Sequence, residues 1–241
     1  MHSVTSRGLG ASVARKPNKV ARLISAMKRN TDLPISVKLR SGWGEDKPNA
    51  VRVARLAEDA GASCIFIHAR SREDRYRKDA DWNLIAEIVQ AVSIPVIGSG
   101  DLAHGPQALT CKRESGCAGL ALARGALIKP WIFNELAQDK LLDPDSMDRL
   151  KIFKLLVEYT LERFGDDEFG LKRSKEFLAL QFEFLARYIP VGAFGRPVGL
   201  QERVNKWEPR DELEDLMSQR DEDSFLELLE RSGFPNLNSV R

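Results

Sequence analysis

The sequence predicts an α/β protein that contains part of a TIM (β/α)8 barrel, namely its last four βα units, followed by a small all-helical domain. Short apolar runs alternate with stretches of helical periodicity up to about residue 142, which is typical of parallel strands joined by crossover helices. Polar and basic residues follow each run, where a barrel of this type keeps its functional groups. Only half of a closed barrel can be recognised.

The elements of the barrel segment are predicted from periodicity and turn residues. The first helix places Val20, Leu23, Ile24 and Met27 on one face, and Pro17 suits its first turn. The strands are short apolar runs, as in a buried parallel sheet, and Gly61 ends the second helix. In order we expect helix 18–30, strand 35–39, helix 49–60, strand 64–67, helix 82–92, strand 94–97, helix 106–114, strand 119–122 and a helical turn at 131–136.

The second part of the chain is predicted to be helical, with a partial barrel over residues 1–142 and a helical domain over 143–241. Two further helices are expected near residues 210–218 and 223–232. The apolar faces of the first two helices are assigned to Leu150, Phe153, Lys154 and Val157, and to Phe177, Leu178, Phe182 and Leu185.

Composition indicates a globular protein whose charge is unevenly distributed. The 241 residues are 43% hydrophobic, and the net charge is only +2, so bulk charge gives no argument for nucleic-acid binding. The first forty residues nevertheless carry nine Lys and Arg residues against the single acid Asp32. A second basic cluster comprises Lys172, Arg173, Lys175, Arg187 and Arg196. Solvated helix faces and polyanion contacts explain these clusters equally well.

Cysteine usage and hydropathy bear on compartment and metal binding. Cys64, Cys111 and Cys117 show neither metal-ligand spacing nor a disulfide framework, so we expect no metal and a reducing compartment, the cytoplasm or the nucleus. No run is long and apolar enough to cross a membrane, and the N-terminus lacks the apolar core of a signal peptide. We therefore expect no membrane association.

Two glycine-containing loops on successive strands predict a phosphate site. Gly98–Asp101 and Ala123–Ala126 each follow an apolar run, and glycine lets backbone N–H groups approach an anion while Arg124 supplies charge. Tight turns without a ligand are the alternative. Lys38 and His68 lie at neighbouring strand ends. A flavin bound there would compensate the charge of the lysine and would accept a hydrogen bond from the histidine. A snorkelling lysine and a structural histidine remain alternatives.

The loop after His68 combines aromatic and charged residues. Tyr76 and Lys78 could clamp an exposed base, because aromatic rings stack on bases and cations pair with phosphates. Trp82 is expected instead to pack the following helix onto the sheet.

Together these residues resemble the tRNA-dihydrouridine synthases, and the resemblance covers the whole chain. Its last motifs look most like the eukaryotic branch that modifies a variable-loop uridine. The matching motifs are Val37–Arg40, Ile67–Arg72 with Tyr76 and residues 80–82, Pro95–Asp101, Ala123–Ala126 leading into Lys129–Phe133, Arg187–Gly192 and Gln201–Asn205.

The resemblance implies an FMN enzyme that uses NADPH to reduce the C5–C6 bond of a tRNA uridine, flipped into a pocket over the flavin. Hydride would pass from the flavin to C6, and a cysteine would give a proton to C5. The implied FMN contacts are Lys38, His68, Ser99, Gly100, Asp101, Ala123 and Arg124. The implied tRNA contacts are Arg70, Arg72, Tyr76, Lys172, Arg173 and Lys175.

Two departures from the family pattern qualify these expectations. Ser99 stands where the family usually has Asn, so we expect weakened rather than abolished FMN contact. Val4–Gly10 matches the segment that follows the family's Gly-Cys-Pro motif, which places the catalytic cysteine before Met1. None of the three cysteines present is expected to replace it, and activity of the chain alone is therefore doubtful.

Other functions and an assembly state follow from the same observations. A non-catalytic tRNA-binding protein derived from the family is the main alternative, and a dihydroorotate dehydrogenase-like flavin barrel fits the basic helical tail less well. Because the unpaired backbone N–H and C=O groups at the edge of a half barrel can pair with another chain, we also expect self-association through the open edge.

Overall fold

A computed structural model describes residues 7, 9–44, 49–74, 76–204 and 206–235 of the chain. The chain divides into two compact units, one comprising Met1–Leu102 and Pro106–Leu122, the other Ala103–Gly105 and Ala123–Arg241. Two segments used in the sequence comparison lie wholly or partly outside the described residues. They are Val4, Thr5, Ser6 and Gly8 of the N-terminal match, and Asn205 of the Gln201–Asn205 motif.

The first unit is built on a four-stranded parallel sheet in the order β1-β2-β3-β4, which confirms the predicted parallel arrangement. The strands pair with their sequence neighbours, as short right-handed crossovers favour. Their bounds are Ser36–Arg40 (β1), Cys64–His68 (β2), Val96–Ser99 (β3) and Gly119–Leu120 (β4).

One face of this sheet forms the hydrophobic core. Leu39, Ile65 and Ile67 are buried there against helix residues such as Val53 and Ile85. Since side chains alternate along a strand, Lys38, Phe66 and His68 point to the opposite face. The helices of this unit are α1 (Pro17–Lys28), α2 (Ala50–Asp59), α3 (Trp82–Ala91) and, from Pro106 onward, α4 (Gly105–Ser115), preceded by a 3-10 helix over Gly10–Arg15. On α1 the predicted Val20 and Ile24 are buried, whereas Leu23 and Met27 of the same predicted face are exposed.

Helices are the regular elements in the described part of the second unit. Four of them begin with an aspartate whose side chain accepts a backbone N–H three residues ahead, a strong N-cap: Asp145, Asp167, Asp211 and Asp221. The helices are α5 (Arg124–Ile128), α6 (Ile132–Gln138), α7 (Ser146–Phe164), α8 (Glu168–Leu185), α9 (Glu212–Ser218) and α10 (Glu222–Arg231), with a 3-10 helix over Val191–Ala193.

The core of the second unit corrects two of the predicted apolar positions. Leu150, Phe153 and Val157 are buried together as expected. Lys154, assigned to the same face, is exposed, and Phe177 of α8 is 38% exposed. The predicted Leu178 and Phe182 are buried on α8, and Leu171 continues their stripe at the helical spacing that one face requires.

The division of the chain falls earlier than the predicted boundary at residues 142/143. The segment before that boundary belongs to the second unit. The Trp131 ring, at the start of α6, meets the Tyr188 ring edge-on with centroids 4.8 Å apart, and α5 packs against α8. Composition changes at residue 142, but these contacts join α5 and α6 to the later helices. Among the described helices, none has the length and apolarity to cross a membrane.

Candidate functional site

The predicted site residues of the first unit meet at the carboxyl edge of the sheet. Arg40, His68 and Ser99 are register partners across β1, β2 and β3. Lys38 lies two residues before Arg40 on the same face, beside Phe66. All four belong to the face opposite the core, because they alternate with the buried strand residues. The structure thus brings Lys38, His68 and Ser99 together with Arg40, which ends the same strand as Lys38.

This edge is cationic and keeps its imidazole neutral. Burial lowers the pKa of His68 to about 4, and the charges of Arg40, Lys38 and Arg70 act in the same direction, while Asp101 opposes them. At neutral pH His68 therefore carries one donor and one acceptor.

Lys38 stands without a partner in the part of the chain that the structure describes: it makes no hydrogen bond and no ion pair there. Its side chain reaches solvent on the open face, yet desolvation by the strands, and secondarily Arg40, lower its pKa. Arg40 is held by a hydrogen bond from its guanidinium to the carbonyl oxygen of Ser71, at 3.1 Å. A desolvated ammonium beside a second cation favours an anionic ligand.

The glycine loop after β3 is held in one conformation. Gly100 has φ of +131° and Asp101 of +55°, both in the left-handed region. A Cβ on Gly100 would lie 2.4 Å from that of Ala80. The Gly100 carbonyl accepts from Trp82 Nε1 at 3.1 Å, and the Asp101 carboxylate accepts from the Ala80 N–H at 2.8 Å. The expected packing of Trp82 onto the sheet is confirmed.

Arg70 has a different environment from the predicted substrate contact. Only 2% of the residue is exposed, and its guanidinium pairs with Asp101 and donates to the Lys78 carbonyl. Its Nη1 has no hydrogen-bond partner. A buried guanidinium that already holds a carboxylate is not presented to a polynucleotide, so the structure points to a positioning role. The Asp101 carboxylate, predicted as an FMN contact, pairs with Arg70 and accepts from the Ala80 N–H, so it holds the loop in place.

Two other predicted contacts lie on the nearby loop surface. Tyr76 is 48% exposed, with its ring centroid 5.7 Å from Arg70 Cζ. The Arg72 guanidinium lies 5.2 Å from the ring centroid of Trp43, and that of Arg15 lies 5.0 Å from it. Sequence reasoning missed Trp43 and Arg15, although an isolated tryptophan in a basic segment was a usable signal.

The remaining predicted residues belong to the second unit. Ala123 and Arg124 begin α5. On α8, Lys172 is exposed, and the Arg173 guanidinium lies 4.6 Å from the Phe164 ring centroid and 5.7 Å from that of Phe169. Lys172 and Lys175 also line a shallow depression with Phe182 and Arg220. Their predicted roles stay predictions.

A buried polar network in the second unit was not expected. Lys129 Nζ donates to Glu135 Oε1 at 2.7 Å and to His104 Nδ1 at 3.0 Å. The His104 Nε2–H then donates to the Val198 carbonyl at 2.9 Å, which fixes the tautomer. Glu135 is fully buried and accepts from two backbone N–H groups, those of Gly105 and Leu142. Burial, followed by the Lys129 charge, lowers the pKa of His104.

A cavity of about 440 Å³ opens beside this network. Arginine is its most frequent charged lining residue: Arg124, Arg187, Arg203 and Arg220. Sequence reasoning gave Arg203 no role beyond its place in the Gln201–Asn205 motif, and it missed Arg220.

Burial disfavours the thiolate at two of the three cysteines, and the third is buried. Cys64 begins β2, at the end opposite the cationic edge, and burial raises its pKa. Burial and then Glu114 raise the pKa of Cys111 in α4. Cys117 is buried, with its Sγ 3.2 Å from the Gly119 carbonyl oxygen. Within the described ranges no three His, Cys, Asp or Glu side chains are grouped to hold a metal ion.

Comparison with known proteins gives a consistent result. The family model "Dihydrouridine synthase (Dus)" matches residues 1–183. The tRNA-dihydrouridine(47) synthase [NAD(P)(+)] of Candida albicans is 36% identical over 93% of this chain and 40% of its own length. The tRNA-dihydrouridine(47) synthase [NAD(P)(+)]-like protein of Homo sapiens is 37% identical over 89% of this chain and 33% of its own. The chain thus spans about two fifths or less of these relatives, and it belongs to the dihydrouridine synthase family.

Proposed function

We propose that this chain binds FMN and takes part in the NADPH-dependent reduction of a tRNA uridine to 5,6-dihydrouridine. The observation that carries the proposal is the row of Arg40, His68 and Ser99 with the unpartnered Lys38 at the carboxyl edge of a parallel sheet. The relatives' names, which specify tRNA, dihydrouridine and NAD(P), supply the reaction class.

The residues of this edge fit a flavin nucleotide. Lys38 can stabilise the negative charge that a flavin carries when reduced, and the neutral His68 can donate to a carbonyl or phosphate oxygen. Gly100 has no side chain, and a Cβ there would collide with Ala80, so a ligand can approach the backbone closely at this residue. The Asp101 carboxylate at this edge is compensated by its ion pair with Arg70.

We place the sheet in a partial TIM barrel, as the last four βα units, because chemistry in such barrels occurs at the carboxyl ends of the strands. The helical domain is proposed to contact tRNA through Lys172, Arg173 and Lys175, since phosphate contacts position a protein on nucleic acid. Arg72 and Tyr76 are proposed to contact the tRNA close to the flipped uridine. Ala123 and Arg124 are proposed phosphate ligands on the strength of the resemblance.

In this reaction bound FMN supplies hydride. The chain's own residues bind and orient: Lys38 and His68 fix the edge that receives the cofactor, and the held loop at Gly100 keeps its backbone donors in place without reorganisation. The uridine must leave its stack to reach this edge, which costs a few kcal/mol of unstacking. We assign the proton to none of the cysteines Cys64, Cys111 and Cys117, whose positions lie away from the edge.

The direct test is to incubate the purified chain with FMN, NADPH and an unmodified tRNA transcript, and to measure dihydrouridine by mass spectrometry of the digested RNA. A matched reaction without FMN is the control. Flavin-dependent dihydrouridine supports the proposal. A chain that binds neither FMN nor tRNA contradicts it.

A second function, non-catalytic tRNA binding, is favoured by the raised pKa of the Cys64 and Cys111 thiols, which disfavours their thiolate forms. It predicts that the chain binds tRNA with the same affinity with and without FMN, and that no dihydrouridine forms. Gel shifts run in parallel with the reduction assay separate the two proposals.

A further inference from the structure

The arginine-lined cavity of the second unit unites two motifs to which the proposed function gives no task. Arg187 and Val191 come from the Arg187–Gly192 motif, and Arg203 comes from the Gln201–Asn205 motif. Arg124 of α5 and Arg220, which precedes α10, lie on the same lining. Four segments distant in sequence thus deliver one guanidinium each to one cavity.

Two arginines of this cavity, Arg203 and Arg220, are left without an acidic partner among the described residues. Both side chains are exposed. The one carboxylate on the lining, Glu202, is held by Arg196 through two contacts of 2.6 and 3.0 Å. Asp221, next to Arg220, is used as the N-cap of α10. Lys129 is compensated by Glu135.

The segment of chain that carries Arg203 forms one wall of the cavity, and hydrogen bonds hold its backbone in place. Val198 O accepts from His104, and the Gly199 carbonyl accepts from the Glu202 N–H at 3.1 Å. Glu202 also ties Arg196 back to the same turn. The backbone of this wall is thus anchored to the buried His–Lys–Glu network, so less backbone ordering is needed on binding, which favours affinity.

We propose that this cavity binds a phosphate group, and that Arg203 and Arg220 are two of its ligands. Guanidinium groups match phosphate oxygens in geometry as well as in charge. Several of them line this one concave site, and a single carboxylate cannot neutralise them all. The inference rests on the proposed function, which offers two sources of the group: a backbone phosphate of the tRNA, or the phosphate of the flavin nucleotide.

The test compares a double variant, Arg203→Gln with Arg220→Gln, with a control of equal charge change, Lys154→Gln with Arg163→Gln. All four side chains are exposed, and the control pair lies on α7 away from the cavity. Affinity for a tRNA transcript is measured by fluorescence anisotropy at several salt concentrations, and affinity for FMN and for riboflavin by flavin fluorescence. Thermal melts confirm that both variants fold.

For an RNA phosphate, the double variant binds tRNA about tenfold or more weakly at low salt, and the slope of log K against log salt falls by about 1.5, the release expected for two lost contacts. FMN affinity then equals that of the control. For a flavin phosphate, FMN binding weakens while riboflavin and tRNA binding do not. If the double variant binds both tRNA and FMN as tightly as the control variant does, the inference is wrong, provided that the wild-type chain binds tRNA or FMN. A wild-type chain that binds neither rejects the proposed function itself.

Discussion

At the scale of single residues, the cationic edge depends on an imidazole that resists protonation. His68 lies among Arg40, Lys38 and Arg70, and its burial makes a charged ring costly. A neutral ring can accept as well as donate, whereas an imidazolium would only add to the positive charge. The neutral form is therefore the one suited to bind the polar edge of a ligand.

This arrangement predicts a pH dependence of stability. The folded pKa of His68 is about 4, below its ordinary value of 6.5, so between these pH values the unfolded chain binds a proton that the folded chain does not. The free energy of unfolding must fall as pH is lowered through that interval. NMR titration of the His68 ring should show a midpoint near pH 4, and His68→Asn should flatten the pH dependence measured by urea unfolding. A midpoint near 6.5 would refute the account of this residue.

Sequence patterns predicted which residues reach the edge but not how each is used. Lys38 and His68 were predictable because they end apolar runs that form adjacent strands. The burial of Arg70 was not, because its partner Asp101 is distant in sequence and meets it only through the fold. Likewise, nothing local in the sequence shows that His104, Lys129 and Glu135 form one network.

At the scale of elements, the loop between β3 and α4 determines the shape of the edge. Gly100 takes a conformation that side chains rarely adopt, directly against Ala80 and close to His68. Trp82 of α3 and the Asp101 carboxylate hold the loop from two sides. The loop is thus preorganised, and its glycine is required by geometry.

Replacing Gly100 by Ala should lower the free energy of unfolding by about 2–3 kcal/mol, because strained backbone and a collision with Ala80 act together. Gly199→Ala is the matched control, since a Cβ there meets no atom within 4 Å. Urea denaturation followed by circular dichroism measures both. Equal stability of the two variants would show that the loop tolerates a side chain and that its conformation is not fixed as described.

The elements themselves were largely predictable, with informative exceptions. The strands were recognised because buried parallel strands are short apolar runs. The last one, predicted over residues 119–122, ends at Leu120, although the Ala121 N–H still donates to the Gly98 carbonyl. The short helix α5 was missed because five residues are too few for a periodicity to emerge. Lys154 was misplaced because its neighbours in the helical pattern are apolar, while its own side chain reaches solvent.

At the scale of the whole molecule, the described sheet has two edges, β1 and β4. Parallel strands are usually covered or closed into a barrel, since unpaired backbone groups at an edge invite pairing with another chain. We therefore predict that the 241-residue chain self-associates in a concentration-dependent manner. Light scattering coupled to size-exclusion chromatography is the measurement. A monodisperse monomer that melts cooperatively across a wide concentration range would disprove this.

The central claim, that the edge at Lys38 receives FMN, is tested most directly by titrating FMN into the chain and following flavin fluorescence. Lys38→Met keeps the length of the side chain and removes its charge, and Lys19→Met makes the same change at an exposed position of α1. The account predicts that the wild type and Lys19→Met bind FMN equally, and that Lys38→Met binds at least about tenfold more weakly, the cost of one charged hydrogen bond. Equal binding by all three proteins, or no binding by the wild type, would contradict it.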